Sequence, residues 1–322
     1  MATVLGTSSL FGIVLDPSIT ALSLIPPALG GVCLGLLSVA RVANVQKLMN
    51  SATPQLWTTM GTVLSAGILS FAIPSLHLTS FDELRIPLPT LLLAAVCLSV
   101  GAKLGKGCTF GNGIQGLGAS SKASLVHVLT FMGAGIMTAT ALNLGSNIPS
   151  SRSSSLDLQS SYPLALSALG GVVFQYFSFL PRQLRDLLAG HTFSSSLLLA
   201  GMGSPHNITA FLDLNTPSGW DPRVCVVMGG ALAVTFPAFS ILGLAGGRSE
   251  DIDKWVGRPV TKEVVAGGCL FGFAWGISGL CPGPAMVAAG FGSPVYATVM
   301  LATRLVLDEV CGEGGAKKRK EK

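Results

Sequence analysis

The sequence predicts an all-α polytopic membrane protein. Three observations carry this: a shortage of charge, a succession of apolar stretches of bilayer length, and glycine-rich strings that interrupt some of them. Charged residues make up 11% of the 322 residues and hydrophobic ones 49%, with a mean hydropathy of +0.63. A water-soluble domain devotes about a quarter of its residues to charge in order to cover its surface, and this chain has less than half of that. The 40 glycines fit the same class, because small residues let helix backbones approach where no hydrophobic effect drives them together.

Counting stretches of about 20 apolar residues as spans gives nine, near 21–40, 56–76, 87–107, 124–144, 162–180, 192–212, 223–245, 262–280 and 285–307. The sixth is interrupted by Gly203-Ser204-Pro205-His206. Pro205 removes a helix donor and is expected to break or kink that span. Residues 1–20 hold no Lys or Arg ahead of the first apolar run, so no cleavable leader is expected. The division expected is an N-terminal segment over 1–20, a single transmembrane transport domain over 21–310 and a basic tail over 311–322. Within the domain, the first half is about 21–145, a Ser-rich linker and joining helix fill 146–190, and the second half is 191–310.

The net charge of +5 lies in the tail Lys317-Lys318-Arg319-Lys320 and in the loops, a distribution that sets membrane orientation and gives no nucleic-acid surface. With nine spans and the tail inside, the inside loops hold Arg41, Lys47, Lys122, Arg182, Arg185, Arg248, Lys254, Arg258 and Lys262, and the outside loops Arg85, Arg152 and Arg223. The bias toward the inside predicts an integral multi-pass protein in the lipid bilayer, N-terminus outside and C-terminus cytoplasmic.

Two stretches match across the halves: Ala95-Val96-Cys97-Leu98 through Gly101, Gly105 and Cys108, and Gly267-Gly268-Cys269-Leu270 through Gly272, Gly276 and Cys281. A weaker match links 37–49 with 201–213. Each half then reads as broken, plain, broken, plain, and an odd joining span inserts the second half from the opposite face. This is an inverted repeat with broken, re-entrant helices, whose substrate site lies near the midplane.

Irregular backbone at membrane depth is tolerated where it is buried in protein or lines a polar path. The strings Gly107-Cys108-Thr109-Phe110-Gly111-Asn112-Gly113 and Gly279-Leu280-Cys281-Pro282-Gly283-Pro284 therefore mark a site. Helix ends at such breaks present N–H groups that favour anions. Gly107, Gly111, Gly113, Gly279 and Gly283 offer backbone turns and close approach, and Gly111 and Gly283 are expected to reject a bulky side chain. Asn112 offers an amide, and Cys108 and Cys281 small polarizable thiols. Lys106 and His206 are further candidates. The combination suits a sulfur-containing anion. The seven cysteines include no CxxC pair, so neither a disulfide framework nor a zinc site is expected, and no cofactor. The run Gly101 to Gly107 is a residue short of a phosphate-binding loop and lacks its hydroxyl residue.

Those two strings, the second extended back to Trp275-Gly276-Ile277-Ser278, resemble the YeeE/YedE family of sulphur-compound transporters. So do Gly201-Met202-Gly203-Ser204-Pro205-His206-Asn207 through Phe211-Leu212-Asp213, Trp220-Asp221-Pro222 and Met228-Gly229-Gly230-Ala231. The resemblance spans about 28–305. It implies an inverted-repeat fold that takes up thiosulfate past cysteines at a constriction, with Cys108 and Cys281 on the family's positions. It also implies a cytosolic sulfur-carrier or rhodanese-like partner. The family's bacterial thiosulfate transporters carry a third cysteine in a Gly-Arg-x-Cys string. This chain has Val39-Ala40-Arg41-Val42-Ala43-Asn44 there, without one. The other reading is a membrane thiol enzyme, a sulfur transferase or disulfide-exchange protein, using Cys108 and Cys281. The sequence supplies no nearby resolving cysteine for it.

Overall fold

The computed structural model describes residues 9–10, 13–14, 16, 19–50, 56–73, 86–147, 158–175, 180–216, 219–244 and 255–310. The Ser-rich linker and the basic tail lie outside the described residues. A two-residue hairpin, β1 (Ser9–Leu10) with β2 (Ile13–Val14), precedes the helices. These are α1 (Ile25–Asn50), α2 (Leu56–Ala72), α3 (Leu88–Leu104), a π-helix (Thr109–Gly116), α4 (Lys122–Ala141), α5 (Leu158–Gln175) and α6 (Arg182–Leu199). Then follow α7 (Pro205–Leu212), α8 (Arg223–Leu244), α9 (Lys262–Ser278), α10 (Pro282–Gly290) and α11 (Val295–Val310).

Among the described residues, five stretches are long and apolar enough to cross a bilayer: Leu22–Ala40, Leu88–Gly116, Lys122–Ala141, Arg223–Ile241 and Lys262–Gly290. Trp57–Ala72 and Val295–Leu307 are shorter apolar helices. Polarity is arranged inside out. Phe71 is 88% and Met137 68% exposed, while Thr192, Ser194, Ser195 and Ser196 of α6 are fully buried. An apolar rim around a polar interior is what a chain solvated by lipid requires. The fold is that of a multi-pass helical membrane protein.

Helices meet where glycine removes the side chain. A Cβ on Gly101 would lie 2.6 Å from Phe271 N, and one on Gly267 would lie 2.5 Å from Gly105 N. Rising numbers on α3 thus meet falling numbers on α9, and the two run antiparallel. In contrast, Gly268, Gly272 and Gly276 of α9 meet Thr130, Phe131 and Gly135 of α4 in step, so those helices run parallel. The partnerships are symmetric. α1 packs on α8 as α2 packs on α6, α4 packs on α9 as α3 packs on α11, and α1 with α6 and α3 with α9 close the two sets.

Several boundaries depart from the expected ones. α1 runs unbroken from Ile25 to Asn50, although the repeat called for a break: nothing between Leu36 and Asn50 is Gly or Pro, so the i→i−4 ladder has no reason to stop. α6 begins at Arg182, ahead of the expected boundary at 191. The stretch expected as a ninth span over 285–307 is two helices, because Phe291-Gly292-Ser293-Pro294 turns the chain, with Gly292 at φ +92. α10 therefore continues the broken unit begun by α9.

The residues around Asp213 form scaffold. Asp213 is fully buried; its carboxylate accepts from Gly145 N at 2.7 Å and Asn215 N at 2.9 Å, fastening the end of α7 to the turn after α4. Trp220 Nε1 donates to Phe211 O at 2.7 Å, and Asp221 accepts from Arg223 N at 3.0 Å. Removing a carboxylate that satisfies two buried donors costs about 1–3 kcal/mol per donor. Asp213→Ala is thus expected to lower the unfolding temperature in detergent. An unchanged midpoint would show that the turn is held by other contacts.

Candidate functional site

Cys108 and Cys281 occupy equivalent places. Each is extended, with φ −90 and ψ −170 at Cys108 and φ −110 and ψ 174 at Cys281, and each is the N-cap of a short helix that follows a break. The first break carries Lys106 at φ 51 and Gly107 at φ 156, and the second Gly279 at φ 62. A helix started this way presents first-turn N–H groups that have no intrahelical acceptor. The first intrahelical bonds come from Asn112 N to Cys108 O at 2.9 Å and from Ala285 N to Cys281 O at 3.0 Å. The N–H groups of Thr109, Phe110 and Gly111 on one side, and of Gly283 on the other, precede them. Pro282 and Pro284 bring none.

The thiols lie over these ends. Cys108 Sγ faces the N–H groups of Phe110 and Gly111, and Cys281 Sγ that of Gly283. Cys281 also faces Cys108 and the buried Thr109 hydroxyl. Arg304 of α11 adds a positive field at Cys108. Both cysteines are free, at 1% and 5% exposure. A third N-terminus adjoins them: Gly201 at φ 69 and the extended N-cap Ser204 open α7, and a Cβ on Gly279 would lie 2.6 Å from Pro205 O. Phe193 of α6 joins the two sides. Its ring stacks edge-on against Phe110 at 5.4 Å and would lie 2.8 Å from a Cβ on Gly283. Phe131, Phe271, Trp275 and Phe211 form a separate aromatic cluster across α4, α9 and α7.

The remaining candidates divide. Gly107 stands in the break, while Gly111, Gly113 and Gly283 lie inside helices and none of them has a positive φ. The left-handed positions are Lys106 and Gly279, because the helix ends there and the N-cap restarts it. A Cβ on Gly111 would meet only Trp255, at 3.5 Å, so the expected intolerance at this position does not come from crowding by a small side chain. A Cβ on Gly113 would lie 2.6 Å from the flexible end of Met228. Asn112 is buried with its amide already engaged: Nδ2 donates to Gly105 O at 3.3 Å, and Oδ1 accepts from Ser124 Oγ at 3.2 Å and Arg258 Nη1 at 3.0 Å. It holds the π-helix against α3 and α4. Lys106 is exposed at the break, and His206 is buried in the first turn of α7.

Arg258 was legible in the sequence only as a loop charge. Its guanidinium caps the C-terminal end of α3 by donating to Gly105 O as well as to Asn112, where a cation suits the helix dipole. It lies 5.5 Å from the Trp255 ring centre, at cation–π range. Burial lowers its proton affinity, and a guanidinium stays charged regardless. The Trp255-Val256-Gly257-Arg258 spacing was the available signal. Among the described residues, no three His, Cys, Asp or Glu side chains gather as a metal would need.

Fold and site together define a polytopic helical membrane protein whose broken helices turn their N-termini onto a pair of buried thiols. Residues 182–321 match a family described as of unknown function, DUF6691. A "probable transporter" of Xylella fastidiosa strain Temecula1 is 32% identical over 130 residues, 38% of this chain and 85% of that relative. Its counterpart in strain 9a5c is 33% identical over 132 residues, 38% of this chain and 88% of the relative. Another "probable transporter" of strain Temecula1 is 29% identical over 132 residues, 37% of this chain and 94% of its own length. The chain belongs to the family of these probable transporters. No solved structure matches it.

Proposed function

We propose that the protein transports an inorganic sulfur anion, thiosulfate foremost, past a constriction made by Cys108 and Cys281. The observation that carries this is the pair of buried thiols at the N-caps of two broken helices, each beside first-turn N–H groups. A dianion entering a dry passage sheds hydration worth several kcal/mol or more. Thiols are weak donors and cannot replace it alone, so the helix-end N–H groups and their partial charge supply most of the compensation. The thiols add a soft contact that distinguishes sulfur from oxygen at the leading end of the ion.

An inverted repeat of nine membrane units supports the passage. Antiparallel α3 and α9, parallel α4 and α9, and the exchanged partnerships of α1 with α8 and α2 with α6 favour it. So does the size of the relatives, which align over 85–94% of their own length to less than two-fifths of this chain. The N-terminus is outside and the basic tail cytoplasmic, where a sulfur-carrier or rhodanese-like protein would accept the ion. The test is uptake of labelled thiosulfate by proteoliposomes holding the full chain. Saturable uptake, displaced by unlabelled thiosulfate better than by sulfate, is expected. Uptake no faster than in protein-free liposomes would end the proposal.

A further inference from the structure

α6 carries a second polar centre that the anion path does not use. His191 stands near the middle of this helix, with Nδ1 2.7 Å from Ser65 Oγ of α2 and Nε2 2.7 Å from Ser167 Oγ of α5. Ser167 Oγ is in turn 3.4 Å from Ser195 Oγ, one turn along α6 and fully buried. Both ring nitrogens thus face groups that donate or accept equally well. A neutral imidazole donates from one nitrogen and accepts at the other. When a proton binds the accepting nitrogen, the hydroxyl there turns its hydrogen away and accepts instead. On the Ser167 side, Ser195 stands ready to receive that hydrogen. No covalent bond other than the new N–H forms or breaks, and the array holds the ring hydrogen-bonded in both charge states. An ordinary packing histidine has one fixed donor or acceptor, as His127 has in Val264 O at 2.9 Å.

No fixed charge competes for this role among the described side chains. α2 and α10 contain no ionisable residue, α5 brings only Tyr162 at its exposed end, and α1 brings Cys33, with Arg41 and Lys47 further along it and their side chains outside those described. On α6 itself the nearest charged groups are Arg185 and Asp186, both more than a turn back along the helix. The centre is wired to the anion site by short mechanical links. Phe193, two positions beyond His191, packs on Phe110 beside Cys108 and against Gly283 beside Cys281.

We propose that His191 binds a proton that crosses with the anion, so that transport is proton-coupled and α6 reports the charge of the ring to the two thiol-bearing helix ends. This rests on the transport reading above. An inside-negative potential opposes anion entry in proportion to the charge carried, and each proton that accompanies thiosulfate removes one of its two charges from that cost. His is the side chain whose ordinary range spans neutral pH.

The test uses the full chain in proteoliposomes, with the potential clamped by valinomycin and potassium. Labelled thiosulfate and a lumenal pH dye are read together. In the wild type, an inside-alkaline gradient is expected to speed thiosulfate entry severalfold, with proton entry in step. His191→Gln is expected to take up thiosulfate at a rate the gradient no longer changes, with no proton entry. Ser167→Ala keeps the ring but removes an acceptor from its charged form, so the pH at which uptake is half-maximal is expected to move down. A merely structural role would lower the rate of both variants without moving that midpoint. Gradient-stimulated uptake retained in His191→Gln overturns the inference. So does wild-type uptake indifferent to the gradient, which would leave transport itself standing. Absence of thiosulfate uptake under every gradient overturns the transport reading and this inference with it.

Discussion

Replacing Cys108 and Cys281 together by Ser is expected to cut thiosulfate uptake by roughly tenfold to a hundredfold, with the purified protein still folded. The magnitude corresponds to a loss of about 0.7–1.4 kcal/mol at each sulfur, the scale of a single weak polar contact, at 1.4 kcal/mol per factor of ten. Ser keeps a hydrogen-bonding group of similar shape at both N-caps, and is a good cap in its own right, so the helix starts should survive. What is lost is the polarizable sulfur, and selectivity for thiosulfate over sulfate should fall with the rate. Cys269→Ser, on an exposed face of α9, is the matched control and is expected to transport normally. Uptake at the wild-type rate in the double variant would reduce the two cysteines to packing residues.

Gly279→Val is expected to be the most damaging single glycine substitution at the site. Gly279 is left-handed at φ 62, and its missing Cβ would fall 2.6 Å from Pro205 O and 2.9 Å from Thr209 Oγ1. A β-branched residue there pays about 1–3 kcal/mol for the backbone and a further 1–3 kcal/mol or so for overpacking against rigid main chain. The consequence is local as well as global, because this is the point where the start of α10 leans on the start of α7. Gly133→Val on α4, with nothing within 4 Å of its Cβ, is expected to be near neutral, and Gly111→Ala well tolerated. Thermal unfolding in detergent, together with uptake, separates these. Equal midpoints for Gly279→Val and Gly133→Val would mean that the break is looser than its geometry.

Much of this was legible in the sequence, because its strongest signals are compositional and local. Scarce charge fixes a lipid-solvated fold, and Pro205 and the strings around Cys108 and Cys281 mark helix restarts, since Gly and Pro act through their own backbones. The sequence did not reveal which glycine does which task. Gly107 and Gly111 look alike in the string, but only the helix hydrogen bonding decides that the turn falls before Cys108 and that Gly111 sits inside the π-helix. Asn112 looked like a ligand because its amide has spare valence in isolation. Gly105, Ser124 and Arg258, from three other segments, use it up. The repeat argues for a break in α1, but the local composition offers no breaker there and the helix runs on. His191 was invisible for the same reason as the Asn112 network: its partners Ser65 and Ser167 are far along the chain.

The central claim is that Cys108 and Cys281 jointly line the path of the anion, and substrate protection of the thiols tests it most directly. In the full chain, reconstituted and treated with a small methanethiosulfonate reagent, peptide mass spectrometry gives the modification rate of each cysteine separately. Cys225 and Cys269, which are exposed, should react without regard to thiosulfate, short of any barrier from lipid. Cys108 and Cys281 should react slowly, and thiosulfate should slow both further while sulfate at the same concentration does so less. Rates at Cys108 and Cys281 that thiosulfate leaves unchanged would contradict the account.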